Sequence, residues 1–380
     1  MVTVDGPDAQ MEIGDRNAYF GSANSSNNRA WLNINNGGRV YVNRLIPYEM
    51  AAEGSVYVGF DGGTVRRTGW PNFVHQYPSR VRLSVYEKGA AFDCEVDTTI
   101  SSETPLAGRV AGGIQSIDAS AVTNGFWVGA PYVNITGDGE GASAVADWDP
   151  SARRLKGIKI TSHGWGYTAD NVKVTLFTAH RSETLTNSVD AVRVTVGDNV
   201  IGGLTKLGSK TLTLTATNSW QKWTQVDAGT LVAGSNGAIP SGTELRLNGG
   251  TINLGGFDAD SERPLTFAGL AGTGGTAVNG AVRLTGIWEI SAKRFLARET
   301  TKLDGTLDLS GVTEIRLVDV DVLGGVDTAT ARALSFVTAK TVIWPETLVF
   351  TGAPKDWSFG RSGSHSIRLG PAHGMMIILR

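Results

Sequence analysis

Cysteine is almost absent. Cys94, the single one among 380 residues, permits neither an internal disulfide nor a multi-thiolate metal site. In Phe92-Asp93-Cys94-Glu95-Val96, strand alternation puts Phe92, Cys94 and Val96 on one face, so the thiol reads as a small buried hydrophobe. Charge is sparse as well, 18% of residues against a usual ~25%. A net charge of −2 sets up no field to draw nucleic acid or anionic lipid, so no nucleic-acid partner is expected. Long apolar runs are missing: the longest, Met375 to Leu379, falls far short of the ~18 residues of a membrane helix. The opening Met1-Val2-Thr3-Val4-Asp5-Gly6 lacks the basic and apolar regions of a signal segment. Helical signals are confined to Thr328–Phe336 and Ile290–Arg298, both short. The five histidines contain no pair at i+2 or i+4, so no local metal pair is encoded. Gly360-Arg361-Ser362-Gly363-Ser364 misses the nucleophile-elbow spacing by one residue, and Gly203 to Lys210 misses that of a phosphate loop.

What is abundant is glycine, 49 residues, nearly twice the usual ~7% share. Glycine pairs at 37–38, 62–63, 202–203, 249–250 and 255–256 punctuate short alternating runs such as Arg39-Val40-Tyr41-Val42, Thr211-Leu212-Thr213-Leu214 and Glu244-Leu245-Arg246-Leu247. Alternation of this kind is a strand with one buried and one wet face. The Thr-apolar steps at Thr211, Thr230 and Thr251 recur after 19 and then 21 residues, too far apart for two-residue hairpins. A period of about 20 residues, with short strands joined at Gly and Asn corners, suits a β-solenoid whose coils stack at ~4.8 Å. Asn33, Asn35, Asn36 and Asn248 fit such corners. The same strands also suit an up-and-down β-sandwich.

The order Gly202-Gly203-Leu204-Thr205-Lys206-Leu207-Gly208-Ser209-Lys210-Thr211-Leu212-Thr213-Leu214, then Asn218-Ser219-Trp220, Asp227-Ala228-Gly229-Thr230-Leu231 and Ile239-Pro240-Ser241-Gly242-Thr243 through Leu254-Gly255-Gly256-Phe257, closely resembles the autotransporter-associated β-strand repeat. This is also called the passenger-associated transport repeat, of bacterial secreted and surface proteins. The resemblance implies an all-β, right-handed parallel β-helix exposed outside the cell. A second stretch, with Gly137-Asp138-Gly139-Glu140-Gly141 and Gly164-Trp165-Gly166-Tyr167-Thr168, looks like the glycine-rich "GGSGYT" β repeat of bacterial surface proteins. The expected organisation is coils over 1–115, an inserted Gly-rich β module over 116–179, coils over 180–345 and a C-terminal cap over 346–380.

Candidate chemistry is thin. Asp319 and Asp321 in Val318-Asp319-Val320-Asp321-Val322 share one strand face at a spacing of ~6.7 Å, near that of a glycosidase carboxylate pair, although any half-buried strand alternates so. Asp258, Asp260 and Glu262, and likewise Asp138, Glu140, Asp147 and Asp149, offer hard oxygen ligands for calcium, the one cofactor considered. Trp220, Trp223, Trp165 and Tyr167 lie in turn-like segments and offer flat faces for sugar rings. Three functions follow: a secreted or cell-surface bacterial structural and adhesive protein whose partners are surface glycans or other surface proteins, a β-helix polysaccharide lyase or glycoside hydrolase, and a passive passenger segment that aids export and folding.

Overall fold

The computed structural model describes residues 1–13, 16–20, 29–47, 55–122, 129–177, 192–256 and 264–372. The fold is all-β, 58% strand and 4% helix, and it forms two compact units, each assembled from three stretches of chain. One comprises Met1–Val65, Val74–Ala90 and Leu106–Gly202; the other comprises Arg66–Phe73, Ala91–Pro105 and Gly203–Arg380. Strand pairing is mixed. It is parallel through long ladders and antiparallel in three pairs of the first unit and a hairpin of the second.

In the first unit a five-stranded sheet runs in the order Val2–Asp5, Arg29–Asn35, Ser55–Asp61, Val81–Val85 and Leu106–Gly108, with every pair parallel. Leu32, Val58, Leu83 and Leu106 stand in one register line and are all within 1% of full burial. Removing such side chains from water contributes on the order of 1.5–3 kcal/mol each. Three antiparallel pairs follow: Gly113–Asp118 with Arg193–Gly197, Tyr132–Thr136 with Lys173–Phe177, and Glu140–Asp149 with Arg154–Trp165. They bury their own core around Ile114, Val133, Ala144, Tyr167, Val174 and Leu176. The last pair meets the parallel sheet through polar groups. The Asn33 amide donates to Ser143 Oγ at 2.9 Å and Thr161 Oγ1 at 3.2 Å, and that of Asn35 to the Thr161 carbonyl at 2.9 Å. Asn33 and Asn35 are thus buried strand residues, while Asn36 takes the left-handed corner at φ 51°.

The second unit shows why the sequence recurs. Thr211 pairs with Thr230, Thr230 with Thr251 and Thr251 with Thr276, all in parallel ladders. The next residues in register, Leu212, Leu231, Ile252 and Ala277, face inward and are at most 3% exposed. A companion ladder aligns Leu204, Thr224, Leu245 and Leu270. The hairpin Trp357–Ser362 with Ser366–Pro371 then lays its second strand antiparallel on Leu334–Ile343.

One local expectation is overturned and another holds in part. Thr328–Phe336 is not helical: the Asp327 carboxylate takes the Ala329 N–H at 2.9 Å and the Thr330 hydroxyl at 3.0 Å and caps a single turn, which the strand pairing of Leu334 and Ser335 with Leu369 and Arg368 keeps from continuing. The chain from Leu334 joins a ladder instead. Of Ile290–Arg298, Lys293–Ala297 is helical. Among the described residues no helix is long and apolar enough to cross a membrane.

Candidate functional site

The aromatic side chains fall into different environments. Trp220 is 1% exposed, and its indole N–H donates to Thr224 Oγ1 at 2.9 Å, which in turn meets Thr243 Oγ1 at 2.9 Å. It fills a corner and offers no face to a ligand. Tyr167 is 5% exposed; Gly139 must lack a side chain because a Cβ there would lie 2.4 Å from the Tyr167 ring. Burial pushes the Tyr167 hydroxyl up to about 12. Trp165 is half-buried: the Arg109 guanidinium carbon stands 3.8 Å from its ring centre, and a Cβ on Gly141 would collide with the ring at 2.5 Å. Tyr57 stacks on Trp31 at 5.4 Å and meets Trp165 in a tilted contact at 5.9 Å. Trp220 and Tyr167 therefore serve packing and offer no open platform, while Trp165 stays half-buried with Arg109 over its ring.

Trp223 differs. It stands at the head of Trp223–Val226, half-buried, and its indole N–H donates to Thr205 Oγ1 at 3.2 Å. The ring lies against Gly203, where a Cβ would come 2.4 Å from Trp223 Cγ. Register aligns Trp223 with Glu244 and Gln225 with Arg246. The Arg246 guanidinium carbon is 5.2 Å from the ring centre and its Nε is paired with the Glu244 carboxylate. Beside them, Asp227 Oδ1 accepts from Gln225 at 2.9 Å and from Asn248 at 2.7 Å, and Asn248 Oδ1 accepts the Thr273 N–H at 3.1 Å. An aromatic ring next to a guanidinium, a carboxylate and two amides brings together groups capable of stacking and hydrogen bonding. Glu244 and Arg246 were readable from the alternation of Glu244-Leu245-Arg246-Leu247, yet the pairing with Trp223 depends on register.

The carboxylates do not assemble. The strand Thr301–Val318 ends before Asp319, which adopts the left-handed conformation at φ 55°, and Val320–Gly325 is a 3₁₀ turn. Asp319 and Asp321 therefore do not share a strand face. Asp319 accepts from Ser291 Oγ and lies 3.3 Å from Lys293 Nζ; the Ser291 bond foremost, with Lys293, holds its carboxyl below the usual range. Asp138 staples a turn through Thr168 and Asn171, Asp149 takes the Ser151 and Ala152 N–H groups, and Asp147 faces Lys156 at 3.5 Å. Among the described residues no three His, Cys, Asp or Glu side chains converge as metal ligands. Asp258, Asp260 and Glu262 lie outside the described residues.

Lys206 escaped sequence reasoning. It is fully buried, and its ammonium donates to the carbonyls of Leu207 at 2.6 Å, Gly208 at 2.7 Å and Ala228 at 3.1 Å, which ties one corner to the next. The signal was present, since alternation from the inward Leu204 points Lys206 inward as well.

The family model for the passenger-associated-transport-repeat matches residues 204–233. Over 95 residues, 24% of this chain, the sequence is 41% identical to the adhesin BmaC autotransporter of Brucella suis biovar 1 (strain 1330). The chain spans 3% of the length of that relative. No solved structure matches the chain. Residues 204–233, whose strands Leu204–Leu207 and Trp223–Val226, and Thr211–Leu214 and Thr230–Ala233, pair in parallel, are a passenger-associated transport repeat.

Proposed function

We propose that this chain is a non-catalytic segment of a bacterial cell-surface or secreted adhesive protein, built on a right-handed parallel β-helix, with a glycan-binding face around Trp223. The observation that carries the reading is the in-register parallel line Thr211, Thr230, Thr251 and Thr276, which runs from the matched repeat into the coils after it. Stacked coils of this kind present a continuous outer face on which successive rungs place Trp223, Arg246 and Glu244 side by side. The adhesin BmaC autotransporter, similar over a quarter of the chain, supports the surface setting. On this reading 1–115 and 180–345 are coils, 116–179 an inserted module and 346–380 a cap that shields the last coil.

The test is a glycan array with the intact chain, accompanied by product analysis on neutral and acidic polysaccharides. The expected result is binding without turnover that drops about tenfold or more in Trp223→Ala, the loss of a stacking contact and its flanking hydrogen bonds. Trp165→Ala should leave glycan affinity unchanged in correctly folded protein, because Arg109 already occupies a face of that ring. New reducing ends or unsaturated products would overturn the non-catalytic reading, and absence of any glycan binding would leave the passive passenger role.

A further inference from the structure

Arg294 is a buried cation without a counter-ion. It opens the short helix Lys293–Ala297 at its second residue and is 5% exposed. Its Nη2 donates to two neutral acceptors, Thr301 Oγ1 at 3.0 Å and the Phe336 carbonyl at 3.2 Å. The Nε–H has no acceptor. Among the described residues no carboxylate lies within ion-pairing distance of it, although Glu299 acts on it from further away. A desolvated guanidinium with an unmade hydrogen bond is costly unless a partner arrives.

The same residue lines a groove of about 440 Å³ whose walls are mostly apolar: Leu270, Ala271, Ile290, Ala297 and Val318. Two acids also border it. Glu289 is half in solvent and shares Arg316, at 3.4 Å, with Glu314 at 3.0 Å, so its charge is only partly offset and, with Glu299, it opposes an incoming anion from the rim. Lys293 at the mouth pairs with Asp319 at 3.3 Å.

We propose that this groove binds a small carboxylate with an apolar body, the carboxylate meeting Arg294 and the body lying along Leu270, Ile290, Ala297 and Val318. A charge-assisted bond to a buried guanidinium supplies the missing partner, and the apolar walls exclude water from it. The site is separate from Trp223 and does not depend on glycan binding.

The test uses the intact chain and octanoate, with octanol and glucuronate as comparisons, followed by titration calorimetry and thermal unfolding. Octanoate should bind and raise the unfolding temperature, with octanol and glucuronate each about tenfold or more weaker, since one lacks the charge and the other the apolar body. Ala297→Phe, which fills the groove and leaves the bonds of Arg294 intact, should abolish octanoate binding without lowering stability. Glu299→Gln should tighten it. Octanol or glucuronate binding as well as octanoate, octanoate binding unchanged by Ala297→Phe, or no octanoate binding at all would each overturn the proposal.

Discussion

Asp308 shows how one carboxylate is held in a parallel ladder. It is 1% exposed, shares a rung with Arg283, and its Oδ2 accepts from Arg283 Nε and Nη2 at 2.7 Å while Oδ1 accepts the Ser310 N–H at 2.9 Å. Burial alone would raise its pKa, but the Ser310 and Arg283 hydrogen bonds outweigh it, and the carboxyl titrates below its ordinary 3.8. A carboxyl with a lowered folded value contributes stability that is fully present above its unfolded value and is lost as pH falls through the folded one. Asp308→Asn should therefore cost about 1–3 kcal/mol at pH 7, and the gap from the parent should narrow below pH 3.8, which urea unfolding at both pH values checks. Lys206 shifts in the same direction, but there it is the charged form that the fold disfavours. Burial lowers its pKa, so the penalty of keeping it charged is relieved as pH rises toward the ordinary lysine range. Replacing it strands three carbonyls, and Lys206→Met should destabilise by about 2–4 kcal/mol in the same unfolding assay.

Strands were legible wherever alternation was strict. Thr211-Leu212-Thr213-Leu214 buries both leucines completely, and Phe92 and Cys94 are likewise at 0% exposure, because a period of two leaves a half-buried strand no other arrangement. Recurrence of the threonine steps was legible too, and the ladders align those threonines one to one. Three things were not. The ends of elements depended on single residues whose backbone sequence does not dictate: Asp319 in the left-handed region stops a strand that alternation would extend. Tertiary pairing overrode helix propensity, since Leu334 and Ser335, at the end of the segment expected to be helical, pair with Leu369 and Arg368. Which outward side chains become neighbours depended on register, as with Trp223 beside Glu244. Close approach at Gly203 follows from that register as well. A Cβ there would lie 2.2 Å from the Trp223 carbonyl and 2.4 Å from its ring, so Gly203→Ala must push the two rungs apart. The expected cost is about 1–3 kcal/mol, with a shift in Trp223 fluorescence that a change confined to the turn would not produce.

Parallel ladders stitch together segments far apart in the chain, so stability cannot be assigned to contiguous pieces. The second unit takes Arg66–Phe73 and Ala91–Pro105 from a region otherwise belonging to the first. Thr98–Ile100 pairs in parallel with Leu212–Leu214, and the Lys210 N–H reaches the Cys94 carbonyl at 3.2 Å. A fragment starting at Gly203 loses these partners, which leaves the backbone of Leu212–Leu214 as a raw edge beside two leucines that the intact chain buries fully. Exposed edges of this kind pair with other chains. Such a fragment should therefore unfold at a lower temperature than the second unit of the intact chain, bind more apolar dye and self-associate with rising concentration. A peptide of residues 91–105 added in trans should reverse part of each effect. Cys94 gives the matching readout in the intact protein: burial raises its thiol pKa, so alkylation should be slow under native conditions and should accelerate with the opening of these same rungs, when only unfolding exposes the sulfur. Were the fragment as stable and as monomeric as the intact chain, the strand Thr98–Ile100 would not be a structural member of the ladder it pairs with.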